Sequence, residues 1–136
     1  MMKILSIDFG LKRMGFAVGD TALRTATPIT PFKRKNKEQD IQHIKNLIPE
    51  YDIDKIIIGY PLNMDGTKSK ITIQVENFAK HIKKKIHIET EFVDERLTSF
   101  EAEEVLKSHQ LNHKKRKQIL DSISAFIILK SYMKIE

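Results

Sequence analysis

Apolar and polar residues along the chain change period several times, and each change marks an element. Residues 4–7 (Ile-Leu-Ser-Ile) are a short β-branched-rich run that reads as a strand ending at Asp8. A turn over residues 9–13 leads to a second apolar run, 14–18, closed by Gly19-Asp20. Residues 24–32 make a third strand. Its Pro28 and Pro31 have no N–H for a ladder, which places it at a sheet edge. The period then becomes helical. Asn36 with Gln39 three residues on resembles a capping box, and Ile41, Ile44, Leu47 and Ile48 follow on one stripe. Residues 56–58 (Ile-Ile-Ile), closed by Gly59, have the unbroken apolar character of a strand covered on both faces. After a turn-rich loop ending in Asp65-Gly66, Val75, Phe78, Ala79 and Ile82 stripe a second helix. Ile86, Ile88 and Phe92 alternate with polar residues, predicting a strand that runs into Asp94-Glu95-Arg96. Thr98 and Glu101 form another capping box, for a helix to about residue 107. A basic linker, 108–117, then precedes a last helix over about 118–133. The order β-β-β-α-β-α-β-α-α predicts an α/β fold, a five-stranded mixed sheet with helices on its faces, in one domain over 1–136.

Composition narrows the class. The chain has 136 residues, 40% of them hydrophobic and 31% charged, enough apolar material for a packed core. Twenty-four Lys and Arg against 18 Asp and Glu give a formal charge of +6, which favours a polyanionic partner. The absence of Cys excludes disulfides, thiolate metal sites and cysteine nucleophiles, and fits a reducing, cytoplasmic setting. The apolar run before Asp8 is too short for a membrane span.

Three carboxylates stand out. Asp8 follows a strand and precedes Gly10, so it either projects at the sheet rim or serves the turn's own amides. Glu95 follows the last strand; its plain alternative is a surface ion pair with Arg96 or another basic residue, a weak interaction. Asp121 shares a helix line with Ala125, Ile128 and Tyr132 on a largely apolar helix, where a buried carboxylate needs a partner or a metal. A helix-start Asp favoured by the macrodipole explains it equally well. Together the three form an oxygen-only set suited to Mg²⁺ or Mn²⁺, and paired ions of that kind cleave phosphodiesters. The basic residues gather at 33–37, 80–85 and 114–117, each of which alone reads as a solvated helix end or loop. Lys114, Lys115, Arg116 and Lys117 are expected to form a flap before Asp121.

The segments Ile7-Asp8-Phe9-Gly10-Leu11-Lys12-Arg13-Met14-Gly15, Gly59-Tyr60-Pro61-Leu62-Asn63-Met64-Asp65-Gly66, Asp94-Glu95-Arg96-Leu97-Thr98-Ser99 and Asp121-Ser122-Ile123-Ser124-Ala125 resemble, in order, those of the bacterial YqgF family. Its members are described as Holliday junction resolvases and as pre-16S rRNA nucleases. The resemblance implies an RNase H-like fold, metal-dependent phosphodiester hydrolysis and acidic positions at Asp8, Glu95 and Asp121. Ser124 stands where the family usually has Ala, and Lys130 where Gln is common; neither change removes a carboxylate. The expected substrate contacts are Lys12, Arg13, Asn63, Arg96, Thr98 and the 114–117 group. The expected partner is structured RNA, above all the 5′ end of pre-16S rRNA, or branched DNA, bound by a monomer or a homodimer. A non-catalytic binding module is opposed by the acidic trio, which repels phosphate without metal. Small-molecule phosphotransfer is opposed by the lack of a Gly-x-x-x-x-Gly-Lys loop.

Overall fold

The computed structural model describes residues 2–96 and 113–134, the latter with side chains from Ser122 on. Its elements are β1 (Lys3–Phe9), β2 (Arg13–Asp20), β3 (Thr25–Lys33), α1 (Lys37–Tyr51), β4 (Lys55–Tyr60), α2 (Lys70–Lys85), β5 (Glu89–Asp94) and α3 (His113–Met133). The strands lie in the order β3-β2-β1-β4-β5, so the proline-bearing β3 is at an edge as its sequence demands. β1 pairs antiparallel with β2, and β2 with β3, whereas β1–β4 and β4–β5 are parallel. The carboxyl ends of β1, β4 and β5 therefore open on one rim, the place where ligands collect in such sheets.

Strand alternation divides the core in two. Leu5, Ile7 and Phe9 of β1 join Ile56 and Ile58 of β4 under α1 and α2, whose stripes supply Ile41, Ile44, Leu47, Val75, Phe78 and Ile82. The intervening Ile4, with Ile57 of β4, packs on Ala125, Ile128 and Leu129 of α3 on the opposite face. Asn36 caps α1 by accepting from the Gln39 amide at 2.8 Å. α2 carries a full capping box between Ser69 and Thr72, which the sequence hides because Thr replaces the usual Glu or Gln.

Two expected boundaries are corrected. Ile86 closes α2, its N–H bonded to the Ile82 carbonyl, because it sits one turn beyond Ile82 on the apolar stripe; β5 starts later, at Glu89. The 113–117 part of the expected basic linker is the start of α3, since Lys and Arg are good helix formers and no Gly or Pro interrupts them. The rest of that linker, Thr98 and the expected 98–107 helix lie outside the described residues.

Candidate active site at the carboxylate rim

Asp8 belongs to the row of β1 that faces α3. Two residues before it, Ser6 is fully buried and its Oγ donates to the Ala125 carbonyl at 2.7 Å. That bond brings the α3 backbone down onto β1, and Ala125, with only a methyl group, allows the approach. The parallel register pairs Ile7 with Ile58, so the next step sets Asp8 beside Gly59.

Glu95 follows β5, held by its backbone N–H on the Tyr60 carbonyl at 3.3 Å. Its carboxylate folds back over β4 into the space that Gly59 leaves open. A Cβ at position 59 would overlap Glu95 Oε2 and come within 2.7 Å of Ile128 Cδ1. The missing side chain thus admits a carboxylate between β4 and α3, on the face and at the level of Asp8. Burial, and secondarily the neighbouring Asp94, push the Glu95 carboxyl up to about 7. Of the basic partners that the plain sequence reading allowed it, Arg96 is turned to Asp94. The guanidinium clasps Asp94, with Nη2 donating to Oδ2 at 2.7 Å and Nε at 2.9 Å, and holds that carboxyl below its usual range. Arg96 Nη1 also reaches the Met64 carbonyl at 3.4 Å, tying the end of β5 to the loop after β4.

Asp121 lies on the line of α3 positions whose described members touch the centre of the sheet. Ala125 meets Ser6, Ile128 meets Gly59, and Tyr132 reaches Lys55 at the far end of β4. The N-terminal half of α3 therefore points to the carboxylate rim. One turn back from Ala125 covers about 6 Å, and the two strand residues from Ser6 to Asp8 cover nearly the same, about 6.6 Å. The backbone at 121 is thus level with Asp8. Because α3 begins at His113, Asp121 is in the third turn, and the helix-start explanation no longer applies. Asp8 and Glu95 both stand at this rim, and among the described residues no three acids or histidines gather closely enough to hold a metal.

The other expected contacts are arranged around these acids. Lys12 is exposed in the β1–β2 turn and Arg13 opens β2. The turn is fixed from below by Arg34, which donates to the Gly10 carbonyl at 3.0 Å, pairs with buried Asp40 at 3.0 Å and lies 4.3 Å over the Phe9 ring. Asn63 is engaged within its own loop: its Nδ2 donates to Thr67 Oγ1 at 2.9 Å, and its carbonyl accepts from Gly66 at 2.8 Å. Gly66 has φ +87°, a conformation that a side chain would strain. Thr72 anchors the loop to α2 by donating to the Pro61 carbonyl at 2.6 Å. Positions 114 and 117 fall on the Asp121 line, seven and four residues earlier, and positions 115 and 116 do not. Sequence reasoning overlooked Ser6 and Gly59; a Ser inside an apolar strand and a Gly closing one were the available signals.

A 3-2-1-4-5 mixed sheet with acids at the rim of its central strands and a helix across that face defines an RNase H-like fold. Solved structures share it: Thermus thermophilus RuvC in complex with a Holliday junction substrate (TM-score 0.63, 11% identity, covering 98% of this chain and 96% of that one), and the fowlpox virus resolvase with its substrate Holliday junction DNA (TM-score 0.60, 19% identity, covering 98% and 97%). At the level of sequence, the family model described as "RuvX: Holliday junction resolvase" matches residues 2–135, and the chain belongs to that family. Among its relatives, a Natranaerobius thermophilus protein is 39% identical over 97% of this chain and 94% of its own length. One from Buchnera aphidicola subsp. Baizongia pistaciae is 41% identical over 96% of each. Both are named "Putative pre-16S rRNA nuclease".

Proposed function

We propose that this chain is a metal-dependent nuclease that hydrolyses phosphodiester bonds in structured nucleic acid, with the 5′ end of pre-16S rRNA as its substrate in the cytoplasm. The observation that carries the reading is the Glu95 carboxylate, folded over Gly59 onto the face and level of Asp8. A half-buried carboxyl at about 7 lies where a cation repays its desolvation. The donors are oxygens only, the set that Mg²⁺ and Mn²⁺ take. Asp8, Glu95 and Asp121 would hold the metal, which when bound supplies water activation and stabilisation of the leaving oxygen. The chain's own residues do the rest. Glu95 must release its proton before it can act as a ligand, so raising the pH favours metal binding and acid opposes it. Lys12 and Arg13, on a turn braced by Arg34, offer cations to the backbone of the strand being cut. Arg96, paired with Asp94, positions the loop carrying Asn63, and Thr98 follows on the same segment. Lys114 and Lys117 extend the Asp121 line with positive charge; Lys115 and Arg116 widen the basic start of α3.

The decisive assay sets pre-16S rRNA fragments beside four-way DNA junctions, with Mg²⁺, Mn²⁺ or a chelator. Metal-dependent cleavage of the RNA, abolished by Asp8→Asn while binding persists, is the expected result. Unchanged turnover in Asp8→Asn removes the assignment. The family description and the two junction-bound structures favour one alternative, a Holliday junction resolvase with the same chemistry. It requires paired symmetric cuts and hence a dimer, so junction cleavage by a dimer with inert RNA selects it.

A further inference from the structure

The face of the sheet turned away from Asp8 and Glu95 carries a concentration of positive charge that the catalytic reading does not use. Lys37 and Lys45 of α1 and Lys80, Lys83, Lys84 and Lys85 of α2 are all exposed. Three adjoining clefts of 370, 270 and 380 Å³ run along the seam between the two helices, and Lys37 and His81 line all three. Among the described residues none of these lysines joins an ion pair. The helix dipole accounts for Lys83, Lys84 and Lys85, which close α2. It does not account for Lys37, the first residue of α1, where the dipole disfavours a cation, or for Lys45 and Lys80 within their helices. His81 registers the field: burial, then Lys37, Lys84 and Lys85, hold its imidazole below the ordinary value.

The patch is continuous with the catalytic rim. The 270 Å³ cleft is also lined by Phe9, Leu11 and Arg34, and Phe9 directly follows Asp8. Leu11 stands in the β1–β2 turn beside Lys12. Exposed cations thus stand on both sides of the Arg34–Asp40 ion pair, Lys12 in the turn and Lys37 at the seam. The aromatic residues along it, Phe9 and Phe78, are buried and offer no platform for a base. Lysines without stacking surfaces recognise phosphates and not sequence.

We propose that the α1–α2 seam binds a second stretch of nucleic acid by its phosphates, continuous with the strand at the carboxylate rim, so that the footprint extends well beyond the cleavage site. The inference rests on the nucleic-acid part of the proposed function and is independent of whether the rim cleaves. The test uses the full chain and a Lys37→Gln/Lys80→Gln/Lys84→Gln variant. Affinity for a long RNA duplex and for a short hairpin that fills only the rim is measured by fluorescence anisotropy across a salt series, with thermal melting as the control for folding. The variant is expected to bind the long duplex about tenfold more weakly at low salt, with the log–log salt slope reduced by about 0.9 for each phosphate no longer neutralised. Binding and cleavage of the short hairpin are expected to stay at wild-type values. The single charge reversal Lys80→Glu gives the same selective loss and serves if the triple variant melts early. Wild-type affinity and slope on the long duplex overturn the proposal, as does equal weakening on both RNAs. Failure of the nuclease reading looks different: no cleavage by the wild type, with lysine-dependent long-duplex binding intact.

Discussion

At position 59 a single methyl group decides whether Glu95 can occupy its place. Gly59→Ala would drive a Cβ into the Glu95 carboxylate and the Ile128 side chain, both built into their surroundings. Relief requires the Glu95 carboxylate to shift from its place and the buried end of Ile128 to repack. The expected outcome is loss of metal-dependent cleavage together with about 1–3 kcal/mol of stability, read by activity assay and denaturant melt. Glu95 itself makes stability depend on pH. Folded, its carboxyl sits at about 7 against the ordinary 4.5, so the native state binds the proton more tightly. Between those values folding takes up a proton, and stability falls as pH rises. The full span is worth about 3 kcal/mol. In chelator, Glu95→Gln should therefore match the wild type near pH 4 and outlast it above pH 7; parallel curves across that range contradict this. Asn63→Ala tests a different point. Its amide serves Thr67 inside the loop, so the substitution should cost about 1 kcal/mol of stability and leave cleavage nearly intact. Asp8 and Glu95 were legible as acids at strand ends, from the apolar runs that precede them. Gly59 was not, since its role depends on β5, β4 and α3 meeting in space.

The element that organises the site is α3. Its descent onto the sheet is set by Ser6 and Ala125 in the middle, and by Tyr132 near its end, where the hydroxyl accepts from Lys55 at 2.5 Å and donates to Glu91 at 3.0 Å. Ser6→Val exchanges the hydroxyl for a methyl, adds a second methyl and takes the donor from the Ala125 carbonyl where strand and helix meet. It should cost about 1–3 kcal/mol and lower turnover by shifting position 121 away from Asp8, checked by melting and single-turnover cleavage. Helical periodicity also separates the four basic residues at the start of α3. A flexible flap would use them alike. On a helix, replacing Lys114 and Lys117 with Gln should weaken nucleic-acid binding and its salt dependence more than replacing Lys115 and Arg116. The boundary at His113 escaped sequence reading because a run of cations looks like linker even though each is a good helix former. The apolar stripes of α1 and α2, by contrast, were plain from spacing alone, because each packs one face on one side of the sheet.

For the whole molecule, strand periods and the two prolines of β3 were enough to anticipate a mixed sheet with β3 at its edge. What they left open was which face each connection covers, since that is settled by packing between segments remote in the chain. Among the described residues no helix is long and apolar enough to cross a membrane. A cation that binds only the assembled rim should raise the melting temperature with the logarithm of its concentration above Kd, and Asp8→Asn should cancel that gain while slightly stabilising the metal-free protein. The bond between Ser6 and Ala125 has a consequence in time. Its partners are 119 residues apart, and α3 packs across β1, β2 and β3 together, so the helix has nowhere to dock until those strands have paired. The carboxylate rim, which needs α3 in place, is then completed only once three strands far apart in the chain from that helix have paired.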